Sequence, residues 1–218
     1  MATDSTNAAA TPAARRGRLA WPTPGEMTAE QLEVYRSILE GPRARAPQVF
    51  AVTDDDGRLE GPFNALLVDP RLGGPVQALG TAVRFASSLS DRQREIAILE
   101  LASRERCDFE WYAHERIGRA IGLGDDELEA LETDAECASF SADEVVVRRV
   151  VRSLHARRDL DDDTFDEATR ALGPPRLADL VVLVGYYQLL SLSLTVWRTP
   201  LPDGQGRPWG SEASPREA

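Results

Sequence analysis

Apolar positions recur at helical spacing through most of the chain, and no stretch alternates at strand period for a useful length. Thr28 to Glu40 reads as a helix, with Thr28 as N-cap, Gln31 three positions on, and Gly41-Pro42 closing it. Residues 43–64 hold Pro47, an Asp54-Asp-Asp-Gly57 turn and Gly61-Pro62, which predicts an irregular loop of the kind that lines sites. Asn64 to Val68 and Pro75 to Ser88 read as two further helices. Ser90-Asp-Arg-Gln93 is a capping box that opens a helix through Leu101, and Asp108 to Ile121 follows, ended by Gly122 and Gly124. A short helix is expected at Asp125–Leu131, and Ser141-Ala-Asp-Glu144 opens another to about Arg158. Asp163 to Leu172 stops at Gly173-Pro174-Pro175, and the last helix runs from Leu177 to Trp197. The pattern predicts an all-α fold in one domain over 19–202, with a disordered leader at 1–18 and a disordered tail at 203–218.

Leu177–Trp197 is long enough to span a bilayer. Asp179, Gln188 and several Ser and Gly residues interrupt it, so burial in the core or at a subunit interface is the reading adopted.

Composition narrows the chemistry. A net charge of -11 argues against nucleic acid and against an anionic membrane surface as partners. All 25 basic residues are Arg, and the absence of Lys excludes Schiff-base chemistry and a phosphate-loop lysine. Two cysteines, Cys107 and Cys137, make no disulfide framework in a chain of 218 residues. The N-terminal residues lack an apolar signal core, which points to the cytoplasm. Carboxylates, histidine and a thiol remain as reactive groups.

Cys107, Glu110 and His114 stand at i, i+3 and i+7, a spacing that puts them on one face of a helix. A thiol, a carboxylate and an imidazole on one stripe can exchange protons, with His as the natural acid or base near neutrality. The same spacing also describes an ordinary solvated face, and a lone Cys is often a small buried hydrophobe. Glu95 falls among apolar residues on the preceding helix, where it could face the cluster across an antiparallel pair. His155 lies among arginines near a helix end and reads as a partner of the helix dipole, while Cys137 has no base beside it. Two histidines without a repeated ligand pair give no zinc spacing, and no metal or other cofactor is expected.

Arg94-Glu-Ile-Ala-Ile-Leu99, Glu110-Trp-Tyr-Ala-His114-Glu and the Gly122-Leu123 turn resemble the carboxymuconolactone decarboxylase family, which includes alkylhydroperoxidase D. The likeness extends to Gly61-Pro-Phe-Asn64, Leu183-Val-Gly185-Tyr-Tyr187 and Pro200-Leu-Pro202, covering about residues 28–202. It implies an all-helical, trimeric or hexameric enzyme. The peroxidase branch carries Cys-x-x-Cys-x-x-x-His with a Glu twelve residues before the first Cys. Those positions are Cys107, Glu110, His114 and Glu95 here, so Glu replaces the second thiol of the disulfide cycle. The resemblance therefore implies a cofactor-independent decarboxylase, or a related lyase or isomerase, acting on a small oxo or lactone carboxylic acid. His114 would be the acid/base, Glu110 and Glu95 relay carboxylates, and Cys107 a pocket residue. Arg94 or Arg104 would hold the substrate carboxylate, with Trp111 and Asn64 also against substrate. The alternatives are a hydroperoxidase using Cys107 with an external thiol, and a non-catalytic binding oligomer.

Overall fold

The computed structural model of the chain describes residues 15–41, 50–202, 205, 206 and 209. Among them are eight α-helices: α1 (Ala29–Leu39), α2 (Pro62–Ala65), α3 (Pro70–Phe85), α4 (Asp91–Glu105), α5 (Asp108–Ala120), α6 (Asp125–Thr133), α7 (Ala142–Arg157) and α8 (Asp162–Trp197). The all-α expectation holds. The capping boxes at Thr28, Ser90 and Ser141 form as read, each hydroxyl accepting from the backbone amide three residues on.

Several boundaries differ from the sequence reading: α2 spans Pro62–Ala65 rather than Asn64–Val68, and α4 runs on to Glu105 rather than Leu101. α3 begins at Pro70 rather than Pro75: Asp69 caps it by accepting from the Arg71 amide, and Pro70 takes the first-turn place where its missing N–H costs nothing. Pro75 then lies inside the helix, where it is costly but tolerated. The stop expected at Gly173-Pro-Pro is present: α8 is two helical segments joined at Gly173 (φ 74°, ψ 159°). A glycine suits that positive φ.

α4 is the central element. Its stretch from Glu95 to Ala102 is buried without interruption, because α5, α6, α7 and α8 all pack around it. Ile96, Leu99, Val147, Val150, Val151, Leu180 and Leu183 form the middle of the main core. A smaller core joins α1, α2 and the 50–60 loop through Val34, Ile38, Leu59, Phe63 and Leu67. A third cluster, Cys107, Phe109, Tyr112, Ala113 and Leu194, closes the end where α5 begins.

α8 is long and apolar enough to cross a membrane by length and composition alone, but 44% of its most apolar window is buried inside the fold. Asp179, on the same helix, accepts hydrogen bonds from Ser88 N (2.7 Å) and Ser88 Oγ (2.6 Å), tying α8 to the α3–α4 turn. The outer side of α8 is not covered: Val181, Val182, Leu189, Leu192 and Val196 are exposed. One side of this helix is thus buried in the fold, as expected.

The leader reading needs correction at its end. Arg15–Arg16 pair with Leu19–Ala20 in a short hairpin, and Arg18 N donates to Trp197 O at 2.8 Å, closing the end of α8. Residues 1–14 lie outside the described residues. Within 203–218, Gln205 accepts from Arg116 and Trp209 stacks edge-on against Trp111 at 5.4 Å; the rest of that span, apart from Gly206, is not described.

Candidate active site

Glu95 and His114 come from neighbouring helices, α4 and α5, whose antiparallel packing brings them into register. His114 Nδ1 lies 2.6 Å from Glu95 Oε2, and Nε2 lies 3.4 Å from Glu110 Oε2 one turn back on α5. The result is a carboxylate–imidazole–carboxylate row. Glu95 is 0% exposed, His114 5% and Glu110 4%, so the row is shielded from water. Glu110 Oε1 is buried without a hydrogen-bond partner among the described residues. An acceptor left in that state is costly unless a ligand or proton meets it.

Electrostatics follow from this placement. Burial alone would push the His114 imidazole down, but the Glu95 charge and hydrogen bonds to Glu110 and Glu95 outweigh it, and its pKa is raised. Burial would raise Glu95; the charge and hydrogen bond of His114, with Arg84 and Arg94 beyond, hold it lowered instead. Tyr187 packs edge-on against the imidazole at 5.2 Å. Its hydroxyl is pushed well above its ordinary range by burial and by Glu110 and Glu95, so it stays protonated.

A cavity of about 30 Å³ opens beside the row, lined by Glu110, His114, Tyr186, Tyr187, Arg84 and Gly80, with Phe50, Pro62, Phe63, Phe109, Ala113 and Leu190 as its apolar walls. That volume holds about two water molecules. Gly80 is required there, since a Cβ would stand 2.1 Å from the Tyr186 hydroxyl. Gly61 plays the same part beneath Phe109, whose ring would meet a Cβ at 2.1 Å. Among the described residues no cluster of His, Cys, Asp and Glu could hold a metal.

The sequence-predicted residues divide clearly. Glu95, Glu110 and His114 meet as expected. Cys107 does not join them in the cavity: it is the N-cap of α5, with extended backbone (φ -89°, ψ 94°), so the helical spacing rule fails at that residue. Its thiol is buried near Ser191, and burial with the Glu110 charge pushes it up to about 12. Arg94 sits behind Glu95, at 3.4 Å from Oε1 and paired with Asp91, and does not line the cavity. Arg104 is farther away, bound to Glu100 and Asp134. Trp111 belongs to the main core, and Asn64 donates to Ala20 O at 3.0 Å to hold the N-terminal hairpin; neither lines the cavity. His155 pairs with Glu105, and Cys137 donates to Asp126. Sequence reasoning missed Arg84, Tyr186 and Tyr187. The spacing of Gly80 and Arg84, i and i+4 on one face of α3, was the available signal.

Residues 70–153, from α3 into α7, match the sequence model of the Carboxymuconolactone decarboxylase family, and this span contains Glu95, Cys107, Glu110 and His114. No curated protein matches the chain. Among solved structures, a peroxidase-related protein from Silicibacter is similar over 89% of this chain and 96% of its own, at 13% identity and a TM-score of 0.68. A putative antioxidant defence protein AhpD from Agrobacterium tumefaciens aligns over 64% of this chain and 96% of its own, with 18% identity and a TM-score of 0.59. The debrominase Bmp8 in complex with 2,3,4-tribromopyrrole aligns over 80% and 87%, with 12% identity and a TM-score of 0.61. Residues 70–153 thus carry the sequence pattern of the Carboxymuconolactone decarboxylase family, and the solved structures share the fold of this chain.

The row makes a titration testable. The His114 imidazole should titrate above the ordinary value near 6.5, and Glu95→Gln should lower it, because the Glu95 charge is the largest influence raising it. Its contribution to stability is complete below about pH 6.5 and is lost as pH rises through the folded value. Ring-resolved NMR, with His155 removed for assignment, checks this; a His114 pKa at or below 6.5 in the wild type would refute it.

Proposed function

We propose that this protein is an acid–base enzyme that moves a proton on a small oxo or lactone carboxylic acid, in a decarboxylation or related lyase or isomerase step. The observation that carries the reading is the buried Glu95–His114–Glu110 row, whose last member lines the cavity and keeps one buried carboxylate oxygen without a partner among the described residues. Both nitrogens of His114 face carboxylates, so Glu110 is the group that meets substrate and His114 recharges it, with Glu95 fixing the imidazole. This moves the hand-over of the proton from His114, where the sequence reading put it, to Glu110. Loss of carbon dioxide beside a carbonyl leaves an enolate, which the protonated Tyr187 hydroxyl stabilises before Glu110 protonates the carbon.

A thiol peroxidase is less well supported. Peroxide reduction needs a thiolate within reach of substrate. Cys107 is held protonated, lies outside the cavity and has Glu110 where a second thiol would stand. A panel of small oxo and lactone acids in D₂O provides the test. The enzyme should exchange carbon-bound hydrogen or release carbon dioxide faster than buffer for at least one of them, and should not accelerate peroxide consumption by dithiothreitol. No exchange or release across the panel, together with brisk dithiol-dependent peroxide consumption, would reverse the assignment.

We further infer that the exposed apolar side of α8, with Leu72 and Leu79 of α3, packs against other copies of the chain, in a trimer or a multiple of it, in the cytoplasm. Light scattering at micromolar concentration should give a trimeric or hexameric mass, and a monodisperse monomer would exclude it.

A further inference from the structure

We propose that Arg84 is the anion-binding residue of this cavity and holds the carboxylate of a small monocarboxylic acid with its reacting carbon at Glu110. The proposal rests on the acid–base reading above and adds to it the group that selects and orients substrate.

Arg84 is the arginine that lines the cavity, in company with Glu110, His114 and Tyr187. The other arginines near the site are committed. Arg94 is held by Asp91 at 2.7 Å and Glu95 at 3.4 Å; Arg104, Arg148 and Arg152 converge on Glu100; Arg116 donates to Tyr112 O and Gln205. Arg84 makes no hydrogen bond or ion pair with any described residue, and its guanidinium lies over the Phe85 ring at 5.7 Å. A half-buried guanidinium that feels the Glu95 charge but hydrogen-bonds to no described carboxylate keeps its five donors for a bidentate carboxylate.

Charge and size point the same way. The chain carries a net charge of -11, so an anionic substrate gains nothing from the protein's overall field and needs a local cation. The space of about 30 Å³ beside Glu110 and Arg84 is small and partly open, which suits a small acid whose carboxylate enters it. The remaining walls, Phe50, Phe63, Phe109 and Leu190, suit an apolar body on the acid.

The experiment titrates acetate, pyruvate and benzoate, and their neutral amides, into the intact protein while the His114 ring signals are followed by NMR. At least one acid should shift them saturably, and its amide should bind far more weakly. Arg84→Gln should weaken the acid about ten- to hundredfold. Arg84→Lys should retain part of the affinity, and Glu110→Gln should bind the acid at least as well as the wild type, since it removes a like charge. Unchanged acid binding in Arg84→Gln, equal binding of acid and amide, or no binding of any acid would each overturn the proposal. The two readings fail separately: proton exchange without Arg84-dependent binding removes only the clamp, and Arg84-dependent binding without exchange removes only the acid–base chemistry.

Discussion

A carboxylate with no solvent exposure, on a helix packed on every side, has to be met by a proton or a cation, and Glu95 is such a carboxylate. His114 meets it at 2.6 Å. Much else about the site follows from that contact. It fixes the register of α4 against α5 and sets the face that the imidazole turns to Tyr187. It also leaves Nε2 directed at Glu110. Removing one partner of a buried pair of this kind costs about 3–5 kcal/mol, so the row is part of the fold as well as of the proposed chemistry.

α4 carries a second buried carboxylate, and the comparison is instructive. Glu100, 1% exposed and roughly 140° around the helix from Glu95, accepts from Arg104, Arg148 and Arg152 at 2.7–2.8 Å. Arg148 also donates to the carbonyls of Ala130 and Ala135. That cluster is satisfied and closed, and it pins α6 and α7 to the centre. The Glu95 cluster instead ends in the unpartnered Glu110 Oε1, beside an uncommitted arginine and a cavity. One network fills its hydrogen-bonding capacity with protein; the other keeps part of it for something else. The same helix thus carries one carboxylate closed off by protein partners and one in the proposed reactive row.

Much of this was legible in the sequence because helical period and capping are local. The capping boxes at Thr28, Ser90 and Ser141 and the spacing of Glu110 and His114 needed no tertiary knowledge. Glu95 was legible as an acid among apolar residues. Cys107 misled because an N-cap leaves helical geometry, so a spacing of seven residues no longer implies a shared face. Asn64 and Trp111 lie in recognisable motifs, yet one ties down a hairpin and the other fills the core. Arg84 could not be picked from 25 arginines without knowing which of them already had partners. Pro75 shows that a proline penalty read locally can be outweighed by a cap and a close contact, here Gly73 against Leu66.

The central claim is that a carboxylate–imidazole row moves the proton and the thiol does not. Its most direct test is the exchange or turnover rate of Glu110→Gln, His114→Gln and Cys107→Ser on one responsive acid, with fold and oligomer verified for each. The account predicts losses of about a hundredfold to ten-thousandfold for the first two, and a rate within a few-fold of wild type for the third. A Cys107→Ser protein as inactive as His114→Gln would contradict it.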